Sequence, residues 1–298
     1  MLGLQIRWSI NNQMGYLVII VASLSFGFTG IFVTLMNTTI PVILLLRFAV
    51  PTLCSLSFVW KNKSLLLLKS KLFFMVSFIP FFLVLLQFVA FKLTSVALTA
   101  TMVYLWPICH YLICVVKKDV QLSPLKVIFI VIALAGLVML HFDPSYVLQA
   151  SDIIGMMLAF GTAMGIAIHL YLVKHYCPQQ SISDILYLNN CLGALVMLPF
   201  ALPDLFQIDT ISLFYGLCNG LGIGFIGFYI YYIGVKRIPS SVCALLSFFE
   251  IPSSLILAYL LLSQSISTVT ILGIVLIIGS SFAIICTQLY KERQLHAN

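Results

Sequence analysis

The sequence SVCALLSFFEIPSSLILAYLLLS, residues 241–263, decides how this chain is read. It is an apolar run with a carboxylate, Glu250, and a proline, Pro252, near its centre. About 20 apolar residues in a helix cross a bilayer. A carboxylate at bilayer depth costs about 2.5–3.5 kcal/mol on insertion scales, so it faces a partner or a wet cavity. A proline inside a helix removes a backbone donor and kinks the axis. A carbonyl freed in this way is tolerated in a membrane only against protein or water. Two roles are open to Glu250. It meets a solute or ion, or it is paired or protonated structural glue.

Working outward, the rest of the chain is equally apolar. Hydrophobic residues make up 62% and charged residues 8%, against about 25% charged in globular domains. A soluble core cannot hide that much apolar sequence, so the expected class is an all-α membrane protein. Ten spans of bilayer length are read: Tyr16–Met36, Pro41–Trp60, Leu72–Phe91, Ser95–Val116, Leu125–His141, Ile153–Val173, Ile185–Leu202, Ile211–Val235, Ser241–Ser263 and Val269–Leu289. Strands of a membrane barrel would be half as long and would alternate.

The loops are short, so their charges report orientation. With the N-terminus in the cytoplasm, thirteen of the fifteen Lys and Arg fall on that side, Lys117, Lys118, Lys174, Lys236 and Arg237 among them. Lys92 alone falls outside, and Arg47 stays in the membrane. The outer loops carry Asp143, Asp152, Asp204 and Asp209. Both termini are therefore expected in the cytoplasm of a bacterial cell, with the chain in its inner membrane. The net charge of +7 is a topology signature rather than a nucleic-acid footprint. The eight cysteines are dispersed, mostly in apolar runs, without metal spacing. No separable signal peptide is expected, because the first apolar run is too long and lacks a cleavage pattern. No GxxxxGK[ST] loop is present, so neither ATP use nor any cofactor is expected.

An internal repeat emerges from the quoted stretch. Lys92-Leu93-Thr94-Ser95 to Trp106-Pro107 aligns without gaps with Arg237-Ile238-Pro239-Ser240 to Ile251-Pro252, at an offset of 145. Gly15 matches Gly155 at an offset of 140. The chain divides into a tail at 1–14, a repeat at 15–142, a second repeat at 153–289 and a tail at 290–298. Five spans per repeat force the second to enter the membrane inverted. Inverted repeats mark secondary transporters, whose sites lie where matching helices are interrupted. Here those helices are the fourth and ninth spans, with hinges at Pro107 and Pro252. Small-residue runs, Gly161-x3-Gly165 and Gly216-x3-Gly220-x3-Gly224 with Gly227, suit close helix packing or a sliding surface.

The five-span inverted repeats, Arg47-Phe48, Thr94-Ser95-Val96-Ala97 leading to Pro107, and Ser240–Leu246 leading to Glu250 resemble the EamA branch of the drug/metabolite transporter (DMT) superfamily. The resemblance covers nearly the whole chain. Departures are Ile251 between Glu250 and Pro252, Phe26-Gly27 in place of Trp-Gly, and Lys117-Lys118-Asp119 where the family often has Glu. Ser263-Gln264 stands at the equivalent place after the ninth span. Tyr104-Leu105-Trp106-Pro107 resembles the fourth span of the aromatic amino-acid exporters. The resemblance implies a two-fold-related bundle, a central cavity lined by the third, fourth, eighth and ninth spans, alternating access, and a small organic solute.

The candidate site gathers around the hinges. Cys243, Ser247, Glu250, Ser254 and Ala258 make a small polar stripe at helical spacing. Met102, Trp106 and His110 share a face beside Pro107. Trp106 is a substrate platform or a core residue; His110 is a helix–helix hydrogen bonder or a proton carrier. Tyr104 and Gln87 lie nearby. Phe225, Phe228, Tyr229 and Tyr232 make an aromatic stripe that lines a cavity or packs. Arg47 snorkels, binds an anionic solute or balances Glu250. Asn189 and Asn190, near its repeat position, suit interhelical hydrogen bonds. The expected function is transport of a small metabolite, with amino acids and export favoured. Uptake of a nucleotide-like metabolite such as S-adenosylmethionine is the alternative. An intramembrane enzyme is remote, for no catalytic constellation lies at depth. Solute and lipid are the expected partners, as monomer or homodimer.

Overall fold

The structure, a computed structural model, describes residues 2–61, 71–94, 96–141, 147–263 and 267–297. Lys63, Lys69, Ser95, Asp143 and Gln264 lie outside the described residues. Every described element is helical. The first span is α1 (Leu2–Phe26) and α2 (Phe28–Leu35), broken at Gly27, a break the sequence reading did not anticipate. The second and third are α3 (Ile40–Lys61) and α4 (Lys71–Leu93). The fourth is split into α5 (Val96–Val103) and α6 (Trp106–Val116), and the fifth is α7 (Pro124–His141). In the second repeat α8 (Ala150–Tyr176) and α9 (Ile182–Leu205) are unbroken. The eighth span is α10 (Thr210–Cys218), a π-helical segment (Asn219–Gly227) and α11 (Phe228–Arg237). The ninth is α12 (Ser240–Leu246), a 3₁₀ turn (Ser247–Phe249) and α13 (Glu250–Leu262); α14 (Thr268–Ala297) is the tenth. Among the described residues seven helical spans are long and apolar enough to cross a membrane, and three further apolar helices are shorter.

The surface is inverted relative to a water-soluble protein. Leu53, Leu195 and Phe200 are each more than 60% exposed, while Ser23, Ser55, Ser77 and Thr162 are fully buried. These four hydroxyls are satisfied by helix carbonyls: Ser23 by Ile19 at 2.8 Å, Thr162 by Leu158 at 3.1 Å, Ser55 by Pro51, and Ser77 across to Leu188 on α9. Water is absent from a bilayer core, so internal acceptors are the available ones.

Helix packing follows the inverted repeat. α4 lies on α8 as α11 lies on α1, and α4 on α9 as the π segment on α3. Three contacts are self-paired across the pseudo-two-fold: α3 with α9, α7 with α14, and α6 with α12. The matched glycines sit at equivalent contacts. A Cβ on Gly15 would lie 2.6 Å from Ile238, and one on Gly155 would lie 2.7 Å from Thr94. Both partners belong to the turn before the split span of the opposite repeat. The contact between α7 and α14 is reciprocal. A Cβ on Gly136 would lie 2.7 Å from the Gly273 carbonyl, and one on Gly273 would lie 2.7 Å from the Gly136 carbonyl.

The glycine run of the eighth span is a packing groove for the second. Added Cβ atoms on Gly216, Gly220 and Gly224 would meet Leu46, Val50 and Arg47 respectively at 2.3–2.9 Å. Gly161 has nothing within 4 Å, so it takes no part in such a contact.

Gly136→Ala is expected to lower stability in detergent by about 1–3 kcal/mol through overpacking against backbone. Gly161→Ala, with open space before it, is expected to be neutral or to gain up to about 1 kcal/mol of helix propensity. Thermal unfolding of the two variants checks this; equal effects would refute the packing account.

Candidate functional site

Pro107 and Pro252 explain where the fourth and ninth spans split. Proline has no amide, so the Val103 and Phe248 carbonyls lose their i+4 donors. The backbone adjusts one turn before each proline. α5 ends at Val103, and the 3₁₀ turn occupies Ser247–Phe249. The two breaks coincide at the repeat offset of 145. Beyond the breaks on one side, α6 and α12 pack together. On the other side α5 lies on α8, and α13 lies on α1 and α2. The two spans therefore form a fork. Tyr104 and Glu250 stand where it divides, the Tyr104 hydroxyl donating to Glu250 Oε1 at 3.4 Å. That is long for an O–H···O bond, whose usual range is about 2.5–3.0 Å.

From Ser247, one turn before Glu250, a chain of side chains leads to Arg47. Ser247, 3% exposed, donates its one hydrogen to the Cys243 carbonyl at 3.1 Å, which leaves its oxygen to accept from the Tyr231 hydroxyl at 3.5 Å. The Tyr231 ring packs on Phe26 at 5.8 Å and on Phe228 at 6.4 Å. Arg47 lies over the Phe228 ring at 5.1 Å. Its Nη1 is buried without a hydrogen-bond partner, against Gly224 of the π segment. The guanidinium also lies within electrostatic reach of Tyr232. Among the described residues no ion pair joins Arg47 to Glu250, so the charge-balancing alternative is not realised. Arg47 meets the aromatic stripe instead, and that stripe packs as a layer: Phe228 also lies 6.3 Å from Tyr232 and Phe225 lies 6.0 Å from Tyr229.

A third polar chain escaped the sequence reading. His169 Nε2 bonds Asn189 Oδ1 at 3.2 Å, and Asn189 Nδ2 donates to the Tyr232 hydroxyl at 2.7 Å. This ties α8, α9 and α11 together. His169 carried the same signal as Glu250 and Arg47: an ionisable residue inside an apolar span. Asn190 differs from its neighbour: it donates to the Leu186 carbonyl of its own helix at 2.7 Å. The expected interhelical role belongs to Asn189 alone.

The remaining candidates are dispersed. His110 is fully buried. Its Nδ1 faces the Ala167 carbonyl at 2.9 Å and must carry the hydrogen, because a carbonyl only accepts. Its Nε2 then accepts from the Cys114 thiol at 3.4 Å. Both nitrogens are used, which makes His110 a tie between α6 and α8. Trp106 is 9% exposed and belongs to the largest core cluster. Met102 packs in a different cluster, because the turn at Tyr104-Leu105 breaks the expected face it would share with Trp106 and His110. The serine stripe is likewise interrupted. A 3₁₀ turn advances three residues per turn rather than 3.6, which rotates α13 relative to α12. Ser254 bonds Ile251 of its own turn at 2.8 Å, whereas Ser253 reaches the Leu24 carbonyl at 2.7 Å beside the Gly27 break. Gln87 on α4 is half-buried. Among the described residues no group of three metal-ligating side chains converges.

A separate small cavity lies where α8 and α11 end, lined in part by Cys177, Tyr232 and Lys236. Burial pushes the Cys177 thiol up to about 11, and the Lys236 charge opposes this more weakly.

Comparison with known proteins places this geometry. The sequence profile of the EamA-like transporter family matches residues 13–142 and 153–286. A curated relative from Bacillus subtilis strain 168, the uncharacterized transporter YetK, is 28% identical over 133 residues. That match covers 43% of this chain and 40% of the relative, so the chain spans under half the length of that protein. A solved crystal structure matches at a TM-score of 0.75 with 18% identity, over 90% of this chain and 96% of the other, a likeness of fold.

The raised Cys177 thiol predicts slow alkylation at neutral pH. Only the thiolate reacts, so its rate should climb about tenfold per pH unit from pH 7 to 10. A free thiol levels off near about 8.5. Peptide mass spectrometry after brief N-ethylmaleimide treatment measures it; a plateau below pH 9 contradicts the burial argument. Lys236→Gln should slow the reaction further.

Proposed function

The chain belongs to the EamA-like transporter family, and on that premise we propose that it moves a small amphipathic metabolite, amino acids favoured, by alternating access. It is a multi-pass membrane transporter of the DMT type. The observation that carries the finer reading is the loose Tyr104–Glu250 contact at the paired helix breaks. A carboxylate there is suited to a solute amine or a titrating coupling group. Phe26, Phe228 and Tyr231 offer the solute body an aromatic layer, and the unpartnered Nη1 of Arg47 suits its acid group. The direction is export, and the chain works as a monomer or homodimer without changing covalent bonds in its cargo. Its place is the bacterial inner membrane, with both termini in the cytoplasm, as the Lys and Arg distribution supports.

Glu250→Gln in proteoliposomes tests the reading. Labelled amino acids and adenosyl compounds are offered in both directions, and the wild type identifies the cargo. The variant is expected to lose transport at least about tenfold, worth about 1.4 kcal/mol of transition-state stabilisation. Tyr104→Phe is expected to reduce it less, since the carboxylate remains. Full transport by Glu250→Gln would remove Glu250 from the mechanism.

A further inference from the structure

The cavity at the ends of α8 and α11 has a chemistry of its own. Its volume is about 120 Å³, and its lining includes Val173, Lys174, Cys177, Tyr232, Val235 and Lys236. Sites for drug-sized ligands run to about 300–1,000 Å³, so a whole metabolite is too large for it. One acid group fits, given that a water occupies about 30 Å³ of liquid. The lining includes two lysines and no acidic residue. Cys177 adds no negative charge at neutral pH, because its thiol is pushed up to about 11.

The hydrogen bonds of these residues leave donors over. Lys174 Nζ donates to the Val235 carbonyl and to the Ile238 carbonyl at 3.1 Å. Lys236 Nζ donates to the Gln180 carbonyl. An ammonium has three donors, so Lys174 keeps one and Lys236 keeps two. The Tyr232 hydroxyl accepts from Asn189 at 2.7 Å and retains its own hydrogen. Tyr232 is 3% exposed and is held from behind by Asn189, which His169 orients in turn. The cavity is thus lined by two lysines and a tyrosine, each of which keeps a hydrogen-bond donor.

We propose that this cavity binds one acid group, a carboxylate or a phosphate, between Lys174, Lys236 and the Tyr232 hydroxyl. The group comes from a soluble anion or from the headgroup of an anionic lipid, for the recognising chemistry is the same. The site is separate from the fork and does not depend on the role of Glu250.

The test is thermal unfolding of the purified full chain in a non-ionic detergent, at constant ionic strength against chloride. The probes are acetate, inorganic phosphate and phosphatidylglycerol. A saturable rise of a few degrees is expected with at least one of them. It should shrink in Lys236→Gln and Tyr232→Phe, vanish in Lys174→Gln/Lys236→Gln, and persist in Glu250→Gln. The single variants keep the test open if loss of Lys174, which ties α8 to α11, prevents folding. A shift with acetate or phosphate supports the site with a soluble source. A shift with phosphatidylglycerol alone supports it with a headgroup source. No saturable shift, or one undiminished by the lysine and tyrosine substitutions, overturns the proposal.

Discussion

Two missing amides in a medium without water govern this structure. Pro107 and Pro252 each withdraw a donor from a helix that sits where no solvent can replace it. The chain answers with paired breaks rather than with straight rods. Each break faces inward, because only protein or an enclosed polar space tolerates the carbonyls left behind. The fork between the fourth and ninth spans follows from that. So does the placing of Glu250 as the first residue of α13, a carboxylate at a helix N-terminus, where the helix dipole favours negative charge.

Symmetry sets the scaffold and its violation sets the chemistry. Gly15 and Gly155 make equivalent contacts, and Gly136 and Gly273 meet each other. Such approaches need glycine at the equivalent place in both repeats because the obstacle is backbone or a branched side chain. The pseudo-two-fold then breaks at the fork. Glu250 stands opposite Leu105 in the repeat alignment, and Ile251 opposite Trp106. His110 grips α8 at Ala167, while on the other side Ser253 grips α1 at Leu24. The two repeats use different side chains for the same mechanical task, which leaves different groups free at the fork.

Much of this was legible in the residues. Span length, the repeat offset and the two prolines suffice to place ten helices and the paired breaks, because hydrophobicity and a missing donor act locally. Glu250 was legible because a charge in an apolar run is conspicuous. The side-chain faces were less so. The stripes of Ser247 with Ser254, and of Met102 with Trp106 and His110, assume an unbroken 3.6-residue period. The irregular turns reset that period at the point of interest. The break at Gly27 gave no signal, since glycine is ordinary in membrane helices; it is explained only by Ser253, 226 positions away in sequence. The Asn189–Tyr232 bond was hidden for the same reason: it joins elements whose contact the sequence does not announce.

The interior hydroxyls and amides show which unmet groups matter. Several buried serines and threonines, Ser23, Ser55, Thr162 and Ser280 among them, bond a carbonyl of their own helix, an arrangement open to any short hydroxyl side chain. Those without a partner, such as Thr99 and Ser281, leave a neutral group unmet, at about 1–3 kcal/mol each. Arg47 is different, because the unmet donor belongs to a permanent charge. Its stacking on Phe228 offers about 0.5–2 kcal/mol of cation–π attraction. That attraction acts through the ring face and supplies no acceptor for Nη1. A buried guanidinium is geometrically matched to a carboxylate or phosphate, and Glu250 is not the one it meets. Nη1 is therefore left without an acceptor among the described residues, and the glycine opposite it, Gly224, leaves the guanidinium room beside the helix backbone.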